Sequence, residues 1–571
     1  MRQIDAGGLS FRENRRRNKY YVDKTLLIKD ILESDDSGVF LFTRPRRFGK
    51  TTNLTMMDAF FNIDYKGNDW FDGLAISRYP EYDGYKNAFP VINLNMKDTK
   101  SPDYENFMNA LGGAIVDALK KHPYLIDSPI LMKDEKILID ALLTGNADRD
   151  QLKTSLRRIS EILERHHGKK VVILIDEYDT AVSDSFGEES HRPIMDLLGG
   201  FIGAAVKNND SLQMAYITGV MQIAEESLFS DLDNVKVDNI FSRASDERFG
   251  FTEGEVKDFL SYYGHPEKFE EAKEWYDGYR FGDAEVYNPW SIINYVSDGF
   301  TPRPYWVDSG GDGVVRWLLE RIDDKNFSDI MGLVDLGTVR VRMKEALVFS
   351  KLDTGEVSIY SLMAMSGYLK ATYVGDGMYD ISIPNMEVAG MVEGLLSSIT
   401  PVSDRLFDDF NRAVLEGDAD RMTDILQDIL LNGSYMNLEK EYAYELILMT
   451  VMHSLTRRYD MKTECESGNG RTDIIMRPRD GGTVPMIFEL KRSASKEDLE
   501  TDADGAISQI HERKYYMGMK GRVVLFGISF WVKVPKVKVE IVGIRDRPGN
   551  PDVTKGGRPW TARRRTGTDN A

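Results

Sequence analysis

The chain has 571 residues, 42% of them hydrophobic, and a formal net charge of −19. This length predicts about two to four domains. The acidic excess argues against a protein that coats nucleic acid over its whole surface, although it allows a local basic groove. Cys465 is the one cysteine, which excludes an internal disulfide framework. Because the N-terminus lacks an apolar signal segment and no run of about 18 apolar residues occurs, we expect a cytoplasmic protein without a membrane anchor.

Apolar strand patterns alternate with helical ones in the first part of the chain. Predicted strands lie in VFLFT from residue 39, at 88–95, in VVILID from residue 171 and at 212–220; predicted helices follow residue 50 and span 103–121 and 148–166. The run VVILID is apolar until its last residue, as suits a parallel strand buried on both faces. Strands alternating with helices predict a parallel α/β sheet.

The rest of the chain changes character several times. Residues 253–300 are helical and rich in aromatic residues, a short β section is expected near 346–385, and 438–457 has the pattern of an amphipathic helix. Residues 471–545 then alternate strand, strand, helix, strand, strand. We divide the chain into a first domain at 1–300, a mostly helical connecting region at 301–404, a C-terminal domain at 405–545 and a disordered basic tail at 546–571.

A phosphate-binding pattern follows the first predicted strand. Gly49, Lys50 and Thr51 supply the last three residues of the motif G-x-x-x-x-G-K-[ST], in which backbone N–H groups and the lysine bind phosphate and the hydroxyl serves Mg²⁺. Arg44 stands where the first glycine of the motif is expected. The position of this pattern between an apolar strand and a helix favours a P-loop.

The strand VVILID ends in acidic residues. Asp176 has the position of a residue that holds Mg²⁺, and Glu177 that of a residue that activates the attacking water. Thr218 ends the next strand and is a candidate γ-phosphate sensor, with a helix cap as its structural alternative. For an arginine finger the sequence leaves Arg243 and Arg248 open, each with a purely structural role as the alternative.

Resemblance to the AAA-ATPase-like family of prokaryotic proteins is carried by segments in the same order: YYVDKTLLIKDIL, RPRRFGKTT, LIDEYDTAV, TGVMQIAEESLFSDLDN, FGFTEGEV, WYDGYRFG and YNPWSIINYV. The family is similar in carrying RPRRFGK without the first glycine. The resemblance implies a P-loop ATPase domain that binds ATP and Mg²⁺. The nucleotide-binding residues it implies are Arg46, Arg47, Phe48, Gly49, Lys50, Thr51, Thr52, Asp176 and Thr218, with Thr51 and Asp176 toward the metal and Glu177 as the catalytic carboxylate.

A hairpin in the C-terminal domain brings charged residues together. If residues 480–482 form its loop, counting outward places Asp473 opposite Glu489, and Lys491 points to the same side. Two adjacent carboxylates repel one another, and a divalent cation relieves that repulsion. The structural alternative is a surface arrangement of these charges without catalytic importance.

The segments ESGNGRTDIIMRP, IFELK and AISQIHERKYY resemble the PD-(D/E)XK nuclease superfamily. The resemblance implies a C-terminal α/β restriction-endonuclease-like domain in which Asp473 and Glu489 are metal ligands, Lys491 is the catalytic lysine and Gln509 is the helix residue beside the site. It leaves open whether Glu441 or Glu445 completes the site, and whether the nucleic acid is DNA or RNA.

Three functions compete on the sequence alone. The first is an ATP-regulated, metal-dependent nuclease. The second is a signalling or interaction ATPase whose nuclease fold binds without cutting. The third is a scaffold with a degenerate nucleotide pocket. The intact Asp473, Glu489 and Lys491 set with Gln509 favours the first, the missing P-loop glycine keeps the third, and a homo-oligomer is compatible with all three.

Overall fold

A computed structural model describes most of the chain. It describes all residues except 1, 6–7, 35–37, 127, 224–234, 307–329, 331–332, 334–336, 346–358, 400–403, 433–440, 453–454, 456–457, 468–469, 480–482, 546–551 and 556–571. Contacts divide the chain into two compact units, the first within Met1–Arg321 and Gly332–Val392, the second within Ile322–Met331 and Glu393–Ala571. The sequence-based boundary at 300 falls inside the first unit.

A parallel sheet forms the centre of the first unit. Its strands are β1 (Val39–Thr43), β2 (Val91–Asn95), β3 (Val171–Asp176), β4 (Leu212–Gly219) and β5 (Val235–Asp238). Their order is β2-β3-β4-β1-β5, and all neighbours are parallel. β1 and β3 are buried along their whole length, as their apolar runs require. The predicted parallel α/β sheet is confirmed, and its strands end together at one edge, where ligands bind in such sheets.

Helices cover this sheet. They are α1 (Phe11–Arg16), α2 (Leu26–Leu32), α3 (Lys50–Phe61), α4 (Tyr104–Leu119), α5 (Lys133–Leu143), α6 (Arg149–His167), α7 (Thr180–Asp184) and α8 (His191–Val206). Short 3₁₀ helices lie at Ile63–Tyr65, Ala75–Arg78, Pro80–Tyr85 and Pro123–Leu125. The predicted helices at 103–121 and 148–166 correspond to α4 and α6. Asp103 and Asp148 cap the first turns of these two helices with their side chains, which explains where they begin.

The second half of this unit contains two small antiparallel sheets. One joins β6 (Phe251–Thr252), β7 (Tyr279–Phe281) and β8 (Ala284–Tyr287); the other joins β9 (Val339–Arg342), β10 (Lys370–Gly375) and β11 (Met378–Ser382). Between and around them lie α9 (Glu253–Tyr262), the 3₁₀ helix Pro266–Lys268, α10 (Phe269–Tyr276), α11 (Pro289–Ser297), α12 (Ile359–Ser366) and the part of α13 (Met386–Ile399) up to Val392. The helical interpretation of 253–300 missed the first sheet, because its strands have only two to four residues and show no period.

A six-stranded sheet organises the second unit. The strands follow chain order in the sheet: β12 (Tyr459–Ser467), β13 (Gly470–Pro478), β14 (Met486–Arg492), β15 (Gly521–Trp531), β16 (Val534–Arg545) and β17 (Asp552–Lys555). β14 and β15 are parallel, and the other neighbours are antiparallel. The helices are α14 (Asp404–Glu416), α15 (Ala419–Asn432), α16 (Glu441–Met452) and α17 (Leu499–Arg513). The predicted order strand, strand, helix, strand, strand corresponds to β13, β14, α17, β15 and β16.

The tail differs from its predicted disorder at one place. Residues Asp552–Lys555 form β17, which pairs antiparallel with the end of β16. The β-branched Val553 and Thr554 suit a strand, and the edge of β16 offers unpaired backbone groups to them. The other residues of the tail, 546–551 and 556–571, lie outside the described part of the chain.

None of the helices in the described part of the chain has both the length and the apolar character needed to cross a bilayer.

A buried carboxylate ties together distant segments of the first unit. Glu387, at the start of α13, accepts hydrogen bonds from the Ser291 hydroxyl at 2.7 Å and from the backbone N–H groups of Tyr305 and Trp306 at 2.7 and 2.9 Å. Burial raises the pKa of Glu387 from 4.5 to about 7, while these hydrogen bonds act in the opposite direction.

This raised pKa predicts a pH-dependent stability. The folded first unit binds a proton at Glu387 that the unfolded chain releases above pH 4.5, so the contribution is full below that pH and is lost as the pH rises through about 7. Glu387→Gln keeps one acceptor oxygen, places an amide N–H group where the other oxygen was, and removes the charge. We expect calorimetry to show the variant melting like the wild type at about pH 4 and being more stable by roughly 1–3 kcal/mol at about pH 8. Parallel stability curves for the two proteins would contradict this role.

Candidate functional site

The carbonyl oxygens of the loop between β1 and α3 accept hydrogen bonds from the lysine that begins α3. Gly49, at φ +85°, turns the chain into α3, a conformation that favours glycine. The buried Lys50 ammonium donates to the carbonyl oxygens of Arg44 at 2.8 Å and Pro45 at 2.9 Å. Burial lowers the pKa of Lys50 to about 8, against the opposing effect of Asp179, Asp176 and Glu177. The lysine thus lies in the loop where a P-loop binds phosphate.

Arg44 occupies the position of the first glycine of the motif, and its side-chain contacts hold the loop in place. Its side chain is fully buried, and Nη2 contacts Oδ1 of Asp238 at 2.6 Å, at the end of the neighbouring strand β5. Nη1 donates to the carbonyl oxygens of Thr43 and Asp238, both at 2.9 Å. The guanidinium also lies 4.7 Å from the ring centre of Phe249 and 5.1 Å from that of Phe281. The Arg44 side chain therefore fixes the start of the loop.

Asp176 links the two halves of the predicted nucleotide site. Its Oδ2 accepts a hydrogen bond from the Thr51 hydroxyl at 2.7 Å, and its Oδ1 accepts one from the Thr218 hydroxyl at 2.5 Å. Thr51 lies in the first turn of α3 and Thr218 is the last residue but one of β4, so the carboxylate at the end of β3 joins three elements. Glu177 follows at φ +56°, a conformation unusual for a non-glycine residue and common at functional sites. The structure thus brings Lys50, Thr51, Asp176, Glu177 and Thr218 together, as the motifs predict.

Two residues that the sequence analysis did not assign hold this edge of the sheet. The buried Asp179 accepts hydrogen bonds from the N–H groups of Val220 and Met221, both at 2.8 Å. The Tyr178 hydroxyl donates to the Met221 carbonyl at 2.7 Å. A Cβ added at Gly219 would lie 2.5 Å from the Tyr178 ring, so only glycine fits there. No periodic pattern in DEYD marks these contacts in the sequence.

The other predicted nucleotide-binding residues occupy different environments. The Phe48 side chain is buried against Tyr279 and Phe281, so only its backbone can face a phosphate. Arg46 and Thr52 are half-buried and Arg47 is exposed.

Neither candidate arginine finger is free. Arg248 pairs with Asp30 at 2.6 Å, and Arg243 pairs with Asp283 at 3.1 Å on the surface. These ion pairs agree with the structural alternative for both arginines.

The hairpin of the second unit has the register that the loop count predicts. Ile474 pairs with Phe488 and Met476 with Met486, which places Asp473 across from Glu489 by extension of the same register. The loop residues 480–482 themselves lie outside the described part of the chain. Beyond the last backbone pair, the Leu490 backbone N–H donates to the Asp473 side chain at Oδ2, at 2.7 Å. Both carboxylates therefore lie at the end of the hairpin.

Glu489 is buried among polar partners. Its Oε1 accepts a hydrogen bond from the Gln509 amide and lies 3.8 Å from the Lys491 ammonium. Its Oε2 is buried and accepts no hydrogen bond from the described residues. Burial and, after it, the nearby Asp473 carboxylate raise the pKa of Glu489 to about 8, and Lys491 opposes this.

Gln509 connects the strand and the helix of this site. Its Oε1 accepts a hydrogen bond from Lys491 at 2.6 Å, and its amide nitrogen lies 3.3 Å from the Tyr515 hydroxyl. Tyr515, whose hydroxyl donates to the Arg471 carbonyl at 2.6 Å, was not assigned from the sequence. The structure therefore brings Asp473, Glu489, Lys491 and Gln509 into one cluster.

The donors of this cluster fit a divalent cation. A buried carboxylate oxygen without a hydrogen-bond partner, next to a second carboxylate, is what an oxygen-seeking ion such as Mg²⁺ stabilises. Within the described residues, however, no three His, Cys, Asp or Glu side chains come together as a metal-binding group. Glu441 and Glu445 belong to α16, but their side chains lie outside the description.

The parallel sheet with its loop lysine and Asp176 defines a P-loop-type α/β domain, and the mixed sheet with its carboxylate pair is consistent with a nuclease-type domain. Residues 6–229 match the family described as Predicted AAA-ATPase, and residues 439–538 match the PD-(D/E)XK nuclease superfamily. The chain therefore joins an AAA-ATPase-like domain to a PD-(D/E)XK nuclease superfamily domain, and the resemblances stated from the sequence are confirmed.

One relative is similar in sequence to this chain over most of its length. It is the "Uncharacterized protein in vnfD 5′region" of Azotobacter chroococcum mcd 1, 27% identical over 549 residues. The similarity covers 90% of this chain and 93% of the relative, so it extends beyond either matched domain alone.

The Arg44 contacts predict a large loss of stability on substitution. Arg44→Met leaves the Asp238 carboxylate buried without its ion-pair partner, which costs about 3–5 kcal/mol. Urea unfolding of the first unit should show that loss. Arg340→Met is the matched control, because it removes an Arg–Asp pair whose arginine is 61% exposed and should cost at most about 1 kcal/mol. Equal effects of the two substitutions would show that the buried pair carries no special weight.

Proposed function

We propose that this protein binds and hydrolyses ATP with Mg²⁺ in an ATPase module and acts on nucleic acid through a metal-dependent nuclease module. The observation that carries the nuclease proposal is the convergence of Asp473, Glu489, Lys491 and Gln509 at one end of the β13–β14 hairpin. The cluster through Asp176 that joins Thr51 and Thr218 supports the nucleotide proposal. The division into modules rests on the two matched families.

In the ATPase module, bound phosphate would replace the contacts that Lys50 makes with carbonyl oxygens of its own loop. Lys50 would exchange the carbonyl oxygens of Arg44 and Pro45 for phosphate oxygens, which offer its ammonium a full opposite charge. Thr51 and Asp176 would hold Mg²⁺, which neutralises developing charge on the phosphates when bound. Glu177 would accept a proton from the attacking water, and Thr218 keeps Asp176 in place.

In the nuclease module, the four side chains have separable tasks. Asp473 and Glu489 would hold the cation, which when bound polarises a phosphoryl oxygen and lowers the pKa of a bound water. Lys491 supplies positive charge beside the scissile phosphate and is oriented by Gln509 at 2.6 Å. Gln509 also donates to Glu489, so it fixes the spacing between the lysine and the carboxylate.

A second function stays a candidate because only two carboxylates converge among the described residues. A domain with this cluster could bind nucleic acid without cutting it, as part of a signalling or interaction ATPase. Purified protein incubated with Mg²⁺ or Mn²⁺ and single- and double-stranded DNA and RNA, with and without ATP, separates the two. Cleavage of any of these supports the nuclease, and binding without cleavage under every condition favours the second function.

The ATPase assignment predicts different defects for two substitutions. Lys50→Ala removes the cation that contacts phosphate, so calorimetry should show no ATP binding. Glu177→Gln removes only the proton acceptor and should bind ATP like the wild type, with hydrolysis lowered by about 10²- to 10⁴-fold. A wild-type protein that binds no ATP would refute the assignment, and unchanged hydrolysis in Glu177→Gln would refute the role of that residue.

The nuclease assignment predicts that metal binding and cleavage can be separated. Asp473→Ala should lose Mn²⁺ binding, measured by calorimetry, together with cleavage. Lys491→Ala should bind Mn²⁺ and cut about 10²- to 10⁴-fold more slowly. Glu512→Ala is the matched control, because this exposed carboxylate lies in the same helix as Gln509. Full activity of Asp473→Ala would exclude this cluster as the active site.

A further inference from the structure

An arginine of the phosphate loop lies on a tryptophan beside the nucleotide site. The Arg47 guanidinium carbon is 4.1 Å from the ring centre of Trp290, a distance typical of a cation–π contact. Arg47 has a φ of +68°, so its side chain leaves the loop in a direction that ordinary backbone does not give. It occupies the position three residues before Lys50, and it is exposed.

The tryptophan is a fixed platform. Trp290 is in the first turn of α11, where the buried Asn288 side chain accepts its backbone N–H at 2.9 Å. The Trp290 ring N–H donates to the Tyr305 carbonyl at 3.0 Å, and the Tyr305 backbone is itself bound by Glu387. The ring and the backbone of Trp290 are therefore both fixed by hydrogen bonds, while Arg47, which stacks on the ring, is exposed.

The charges around Arg47 belong to the nucleotide site. Partial desolvation lowers the pKa of Arg47, the neighbouring Arg46 lowers it further, and Glu177 raises it. The guanidinium thus lies within electrostatic range of the carboxylate that we assign to water activation. Arg44, Arg243 and Arg248 are each engaged with an aspartate elsewhere, so they do not compete for this place.

We propose that Arg47 binds the γ-phosphate of ATP from within the same chain and that stacking on Trp290 holds it ready to do so. The inference rests on the proposed ATP binding and goes beyond it, because it names the residue that distinguishes ATP from ADP. A guanidinium suits this task, since it offers paired donors to phosphate oxygens and keeps its charge when partly desolvated.

Nucleotide affinities of the full chain test this without depending on hydrolysis. Calorimetry with Mg²⁺ compares ADP with the non-hydrolysable ATP analogue AMPPNP. Arg47→Ala should weaken AMPPNP by roughly 10- to 100-fold, the usual range for a hydrogen bond to a charged group, and should leave ADP affinity within about twofold. Arg16→Ala, the matched control, removes another arginine stacked on a tryptophan, Trp70 at 5.2 Å, and should change neither affinity.

Substitutions of Trp290 distinguish a role in positioning Arg47 from a purely structural role of the ring. Trp290→Phe keeps an aromatic face but loses the ring N–H bond to Tyr305, so it should weaken AMPPNP less than Trp290→Ala does. Trp290→Ala should weaken AMPPNP selectively, and the double variant with Arg47→Ala should be no weaker than Arg47→Ala alone, because both remove one interaction. The proposal fails if Arg47→Ala weakens ADP as much as AMPPNP, or weakens neither, while the wild type binds both. A wild type that binds neither nucleotide would overturn the proposed function as well.

Discussion

The buried ion pair between Arg44 and Asp238 holds the loop on which the proposed nucleotide site is built. A guanidinium taken out of water is costly unless charge and hydrogen bonds compensate it, and here Asp238, two carbonyl oxygens and two aromatic rings do so. The Arg44 carbonyl, fixed by these contacts, is one of the oxygens that receive Lys50. The missing glycine is thus replaced by a rigid anchor, which argues against a degenerate pocket.

The two sites solve the problem of buried charge in different ways. In the first unit, both oxygens of Asp176 have hydroxyl partners and Lys50 has two carbonyl partners. In the second unit, Oε2 of Glu489 has none among the described residues, and burial raises the pKa of this carboxyl to about 8. A cation would compensate the second site as internal hydrogen bonds compensate the first. The site of the second unit, where a buried carboxylate oxygen lacks a partner among the described residues, therefore depends more on a bound cation than the site of the first unit does.

Much of the fold and of the two sites could be predicted from the sequence, because these features depend on local sequence patterns. The central sheet follows from apolar runs, and the β13–β14 register follows from a side-chain period of two counted from one loop. The contacts that complete the sites join residues far apart in the chain, and no local pattern encodes them. Asp238 lies 194 residues after Arg44, and Glu387 lies 96 after Ser291. Strands β6 and β17 were missed because they have only two and four residues, whereas β12 alternates over nine residues and could have been predicted from that pattern.

The proposed nuclease function depends most directly on the carboxylate pair of the second unit being a metal site. Crystals of the full chain soaked in Mn²⁺ would show this by anomalous scattering. We predict a peak bound by Asp473 and Glu489, with Lys491 and Gln509 alongside, and its absence in Asp473→Ala. If the wild type shows no peak at this pair while Mn²⁺ is seen elsewhere in the same crystals, the claim that this cluster is a metal-dependent nuclease site is wrong.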